Sequence, residues 1–138
     1  MSLIYKQEAY DIIGGCFEVY NELGSGFDEA IYHESLEIEL ADRNIPFVSE
    51  PRLEVSYKTH ILKKHFKPDM IAYQKIIIEL KAVKEINEAH RSQVHNYLKA
   101  TGFQLGLLIN FGNPGKLEYE RIVKTSPPPK EPPPRLQG

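Results

Sequence analysis

Glu79 and Lys81 stand two residues apart inside the most apolar stretch of the chain, Lys75-Ile76-Ile77-Ile78-Glu79-Leu80-Lys81-Ala82-Val83. A run so β-branched and nearly unbroken predicts a central strand buried on both faces. Residues two apart on a strand point to the same face. A carboxylate and an ammonium there are costly unless they pair, hold a metal or face a cleft. A hairpin folded about Gln74 sets Asp69 opposite Glu79, with Cβ atoms about 4.5–5.5 Å apart, where two like charges repel. A divalent cation between them turns that repulsion into binding, because hard cations prefer carboxylate oxygens. The register decides the matter: a slip of one residue would send one carboxylate to the opposite face. A plainer reading of the same residues is a Glu79–Lys81 salt bridge, with Asp69 solvated near a turn. Pro68 directly before Asp69, and acidic strands followed by a helix, favour the metal.

The elements that must position these groups are legible from periodicity. Ala9, Ile12, Ile13, Cys16, Phe17 and Tyr20 recur at helical spacing, which predicts an amphipathic helix over Lys6 to Glu22. Gly24-Ser25-Gly26 stops it. A second helix is predicted from Asp28, a capping candidate, to about Arg43, with Asn44 near its stop. Pro46 switches the pattern to extended chain. Leu53, Val55 and Tyr57 alternate with polar residues as a half-buried strand does. After a Lys58-Thr59 turn, Ile61 to Tyr73 is predicted as a second strand, bent or bulged near Lys67-Pro68. The apolar run is the third strand. A third helix follows over Glu88 to Thr101, closed by Gly102, then strands over Leu105 to Phe111 and Leu117 to Val123. The expected order is ααβββαββ.

With 138 residues the chain suggests one core. Its 41% hydrophobic and 26% charged residues are ordinary for a globular protein. No apolar run approaches the roughly 20 residues that cross a bilayer. Glu8 and Asp11 break any signal-peptide core at the start, so cytoplasm is expected and no membrane partner. Cys16, a lone cysteine on an apolar helix face, excludes an internal disulfide framework and is expected in the core. The net charge of −2 does not advertise a nucleic-acid binder. Distribution says more. Lys58, His60, Lys63, Lys64, His65 and Lys67 follow one another with no acid between them. That stretch could meet phosphates, and a solvated strand edge carrying lysines against aggregation looks the same. Six of the ten prolines fall in residues 125–138, expected as an extended tail after a domain over 1–124.

Pro68-Asp69 with Glu79-Leu80-Lys81 resembles the signature of the PD-(D/E)XK nuclease superfamily. Gly26-Phe27-Asp28-Glu29-Ala30-Ile31-Tyr32 is similar to the GxxExxY motif that names one of its families. Gln93-Val94-His95-Asn96-Tyr97 is similar to its QxxxY helix motif, and Leu105 to Gly112 to its late strand. The four occur in order and cover about residues 8 to 123. The resemblance implies a restriction-endonuclease-like α/β core, a mixed sheet flanked by helices. It implies that Asp69 and Glu79, helped by Glu29, hold Mg²⁺ or Mn²⁺, that Lys81 orients or activates water, and that Gln93 sits near the lysine. The implied activity is metal-assisted hydrolysis of DNA or RNA. Tyr73-Gln74-Lys75 departs from expectation by lacking a glycine in the hairpin turn. Glu29 and Tyr32 share a helix face, as do Gln93 and Tyr97; both tyrosines are expected to pack in the core with a hydrogen-bond partner. Glu22, Glu34 and Glu88 are expected as solvated helix residues, with Glu22 or Glu34 the substitute should Glu29 face away.

Five histidines show no zinc-ligand spacing, and His90 and His95 are five apart on a helix, on different faces. Two rivals to the nuclease remain: a nuclease-fold module that binds nucleic acid with little or no cleavage, and an interaction protein working through a sheet edge or its proline tail. A domain this small leaves little surface for target recognition, so a homodimer or a larger partner is expected.

Overall fold

The computed structural model describes residues 3–125; the expected tail beyond Thr125 lies outside them. Helices α1 (Lys6–Leu23) and α2 (Glu29–Asp42) come first. Strands β1 (Phe47–Ser49), β2 (Leu53–Tyr57), β3 (His60–Phe66), β4 (Met70–Ala72) and β5 (Ile76–Lys81) follow. Helix α3 (Glu88–Thr101) precedes β6 (Leu105–Asn110) and β7 (Glu118–Val123). The fold is α/β. A five-stranded mixed sheet runs β1-β4-β5-β6-β7, and β2 with β3 forms a separate two-stranded sheet. β5 lies in the middle, antiparallel to β4 and parallel to β6.

The alternation of β5 divides the molecule into two packed layers. Ile76, Ile78 and Leu80 face Ala9, Ile12, Cys16, Tyr32, Leu36 and Leu40 of α1 and α2. Ile77 faces the other way, with Ile71 and Leu108, toward Val94, Tyr97 and Leu98 of α3. Covered by helices on both sides, β5 has no solvent face, which is why its sequence is apolar at consecutive positions rather than alternately. Cys16 is fully buried, and burial pushes its thiol up to about 12. It is a core residue.

Two parts of the expected topology are corrected. The segment Ile61 to Tyr73 is not one bent strand. It divides into β3 and β4, which belong to different sheets. Pro68 has no N–H to give a ladder, so pairing breaks off there and the chain changes sheets. β1, only three residues long, was not expected at all; it pairs Val48 with Ile71 along the edge of the main sheet. Five strands, not three, therefore separate α2 from α3. Asp28 is the N-cap of α2 but its side chain makes no capping bond. The side-chain cap belongs to α3, where Asn87 accepts from the His90 N–H and the His90 ring accepts in return from the Asn87 N–H.

The β4–β5 turn has the register expected of it and an unexpected backbone. Ala72 pairs with Ile76, and the Lys75 N–H donates to the Ala72 carbonyl at 3.1 Å. Tyr73 and Gln74 both adopt positive φ, 55° and 61°. Two consecutive left-handed residues match the twist of a tight antiparallel hairpin, normally with Asn-Gly. Tyr73 packs against the core, so its side chain compensates for the backbone; Gln74 is exposed and has no such compensation. Gln74→Gly is expected to stabilise the protein by about 0.5–1 kcal/mol. A urea midpoint that does not rise, at unchanged m, would show that the left-handed residue costs nothing there.

Candidate active site

One residue beyond the last β4–β5 pair, Met70 with Ile78, the same register sets Asp69 opposite Glu79. The two carboxylates tie the strand ends together. Glu79 Oε1 accepts from the Asp69 N–H at 2.9 Å, and Asp69 Oδ2 accepts from the Leu80 N–H at 2.7 Å. The Asp69 carbonyl accepts from Glu50 just past β1, at 2.8 Å. Each carboxylate thus spends one oxygen on backbone and keeps the other: Oδ1 of Asp69, 3.6 Å from His33 Nδ1, and Oε2 of Glu79, 3.9 Å from Lys81 Nζ. Glu79 is only 5% exposed. Burial, and then the negative charge of Asp69, push its carboxyl up to about 8. Burial also raises Asp69, against the Leu80 N–H and the charges of His33 and Lys81.

Lys81 shares the face of Glu79 and continues toward α3, where its Nζ donates to Gln93 Oε1 at 2.8 Å. The Gln93 amide donates to the Tyr97 hydroxyl at 3.2 Å. Gln93 and Tyr97, one turn apart, form a rail that holds the lysine head. Lys81 is also fixed through its backbone. Its partner across β5 and β6 is Asn110, fully buried. The Asn110 side chain accepts from the Val83 and Gly112 N–H groups and donates to the Val83 carbonyl and to Glu118, all at 2.8–3.0 Å. An amide with every site filled clamps the chain just beyond Lys81.

Glu29 enters from the first turn of α2. It lines an open cleft of about 370 Å³ with His33, Glu34, Glu37, Glu50 and Asp69. Burial and the charge of Asp69 raise its carboxyl, while Lys81 and His33 oppose the rise. Tyr32, stacked on Phe111 at 4.6 Å, is buried beneath, its hydroxyl donating to the Gly24 carbonyl at 2.5 Å and accepting from the Phe27 N–H. Those two bonds hold the 24–28 loop that leads into Glu29. The structure therefore brings together Asp69, Glu79, Lys81 and Gln93 by direct contact, with Glu29 at the rim. Glu34 joins Glu29 in the cleft; Glu88 instead pairs with Arg91.

Sequence reasoning missed His33 and Asn110. His33 stands between Asp69 and Glu37, whose carboxylate also accepts from Ser49. Its signal was available: it lies four residues after Glu29, hence on the same helix face. Asn110 carried none, because its role depends on pairing with a strand 29 residues away.

Among the described residues no three His, Cys, Asp or Glu side chains already converge as ligands of one ion. The donor set nevertheless suits a hard cation. Glu29, Asp69 and Glu79 each raise or are raised by another's charge, and two of them hold an oxygen back from the backbone. Coordination by a divalent ion relieves that mutual repulsion.

A family model of the PD-(D/E)XK nuclease superfamily matches residues 6–122, and the chain belongs to that superfamily. Its nucleases generally use divalent metals. A solved structure described as the crystal structure of SSO0001 shares the fold at a TM-score of 0.55 and 20% identity, over 89% of this chain. The match spans 59% of that longer chain. A search among curated proteins finds no relative. None of the helices of the described residues is long and apolar enough to cross a membrane.

Proposed function

We propose that this chain is a divalent-metal-dependent phosphodiesterase that hydrolyses nucleic acid, of the kind the GxxExxY motif marks, with its catalytic unit in residues 1–124. The observation that carries the reading is the pair Asp69–Glu79: two carboxylates side by side at the end of a hairpin, with Lys81 and Gln93 in line behind them. Asp69 and Glu79 would hold Mg²⁺ or Mn²⁺, with Glu29 completing the set from α2. Bound there, the ion would polarise a phosphoryl oxygen and lower the pKa of a coordinated water.

The remaining steps belong to the chain's own groups. Water oxygen bonds to phosphorus and gives up a proton to solvent, the bond to the ester oxygen breaks, and the leaving alkoxide takes up one proton in its place. Negative charge builds on the phosphoryl oxygens as the new bond forms. Lys81, held by Gln93 at 2.8 Å, sets its positive charge there in advance and needs little reorganisation at the moment of reaction. The Lys81 side chain is itself only 17% exposed, so solvent screens that charge weakly.

Purified protein with Mg²⁺ or Mn²⁺ should cut labelled DNA or RNA, and EDTA should stop it. Asp69→Ala should lower the rate by roughly 10³-fold, the several kcal/mol of charge stabilisation that metal-ion catalysis supplies. Undiminished cleavage by that variant would place the activity elsewhere or in a contaminant. Metal uptake without turnover on any nucleic acid would reduce the protein to a binding module.

A further inference from the structure

We propose that the groove between the β2–β3 hairpin and α3 holds the sugar-phosphate backbone of the strand that is cut and leads it past Gln93 to Lys81. This deepens the proposed hydrolytic function and rests on it. The groove has a volume of about 730 Å³. Lys64 and Lys67 stand on its hairpin side, Lys99 and Asn96 on its helix side, and no acidic residue lines it. The cleft beside Asp69 has the opposite character, with Glu29, Glu34, Glu37 and Glu50 in its walls. Charge is therefore sorted across the site: donors for an anion on one side, ligands for a cation on the other.

Three further observations point the groove at the reacting centre. Gln93 lines it and also receives the Lys81 Nζ hydrogen bond, so the groove and the site share a side chain. Gln93, Asn96 and Ala100 recur at helical spacing and present one face of α3 to the groove, while Val94 and Leu98 face the sheet. Phe66 and Tyr97, edge to face at 4.9 Å, form a firm wall that fixes the hairpin against the helix. Among the described residues Lys64, Lys67 and Lys99 make no ion pair, whereas Lys75 and Arg91 are paired with glutamates. Unpaired lysines along a groove neutralise phosphates without reading bases. The recognised chemistry is a phosphodiester backbone; whether its sugar is ribose or deoxyribose is left to the arms of the test.

The experiment measures binding of a fluorescein-labelled 30-mer by anisotropy in EDTA, from 25 to 200 mM salt. Single-stranded DNA, single-stranded RNA and duplex DNA form the three arms. Lys64→Gln/Lys99→Gln should weaken binding at least tenfold at 50 mM salt. It should also flatten the log–log salt slope by about 1.5, close to 0.7–0.9 for each phosphate that is no longer neutralised. Lys6→Gln/Lys116→Gln makes the same change in net charge away from the groove and should leave both unchanged. Equal losses in the two variants, no binding of any nucleic acid by the native protein, or equally tight lysine-dependent binding of polyglutamate would overturn the groove. Asp69→Ala separates this proposal from the one beneath it. Binding kept with cleavage lost supports both, and cleavage kept in Asp69→Ala rejects the catalytic assignment whatever the lysines do.

Discussion

Glu79→Gln is expected to lower cleavage by about 10³-fold and, in the same protein without metal, to raise stability at pH 8. The two effects have one cause. Glu79 is nearly inaccessible to water, beside a second carboxylate, and its proton stays on up to about pH 8. In the unfolded chain it leaves near 4.5. A carboxyl whose folded pKa is raised favours the folded state fully below the unfolded value, and that advantage is lost as pH rises through the folded value. Glutamine keeps the shape of the protonated acid and never ionises. The gap between variant and native protein should therefore be small at pH 4 and widen to pH 8. At about 1.4 kcal/mol per pH unit the full span is on the order of 4–5 kcal/mol. Thermal unfolding in EDTA at pH 4.5, 6 and 8 measures it directly. A gap that does not change with pH would mean that Glu79 ionises normally in the fold. The native protein should also gain more stability from Mg²⁺ at pH 8 than at pH 6, because binding at the lower pH must displace a proton. Glu79→Gln should gain little at either pH.

Gly112→Ala should cost about 3 kcal/mol and slow cleavage as well, though Gly112 contacts no candidate catalytic group. A Cβ there would stand 2.3 Å from the Val83 carbonyl oxygen and 2.4 Å from its nitrogen. These are backbone atoms and cannot rotate aside. The Asn110 side chain bonds Val83 twice and Gly112 once, and the Phe111 N–H donates to the Lys81 carbonyl at 2.9 Å. Room for a methyl group can come only from parting the ends of β5 and β6. That breaks bonds worth about 1 kcal/mol each, adds overpacking strain, and carries Lys81 away from Gln93. Gly115→Ala is the control: its Cβ would meet nothing closer than Asn113 Oδ1 at 3.5 Å, so a change within about 0.5 kcal/mol is expected. Urea unfolding reads the stability, and the cleavage rate reads the position of Lys81. Equal effects at the two glycines would remove the case for a close approach at Gly112.

Both results turn on contacts that a sequence reports unequally. The three helices, the buried β5 and the Asp69–Glu79 register were legible because each is a local pattern. Apolar side chains repeat every three or four residues where one helix face is buried. Asp69 and Glu79 lie equally far from a short turn, so the register of one hairpin fixes their meeting. His33 belongs to the same class, one helical turn after Glu29 on the same face of α2. The turn was legible in its place and in its lack of glycine, but not in its backbone: Tyr73 and Gln74 take left-handed conformations while Tyr73 packs on the core.

The division at Pro68, the edge strand β1, the clamp by Asn110 and the meeting of Lys64 with Lys99 across a groove are of another kind. Each depends on residues far apart in the chain, and no period in the sequence records which partner a strand end or an exposed lysine will find. By itself the sequence determined which side chains share a face and how the short β4–β5 hairpin aligns, because those follow from backbone geometry repeated over a few residues. Which sheet each strand joins, how deeply Glu79 is buried and where opposite charges gather were decided by packing of the whole chain. Burial and electrostatic field are sums over neighbours that only the folded arrangement supplies.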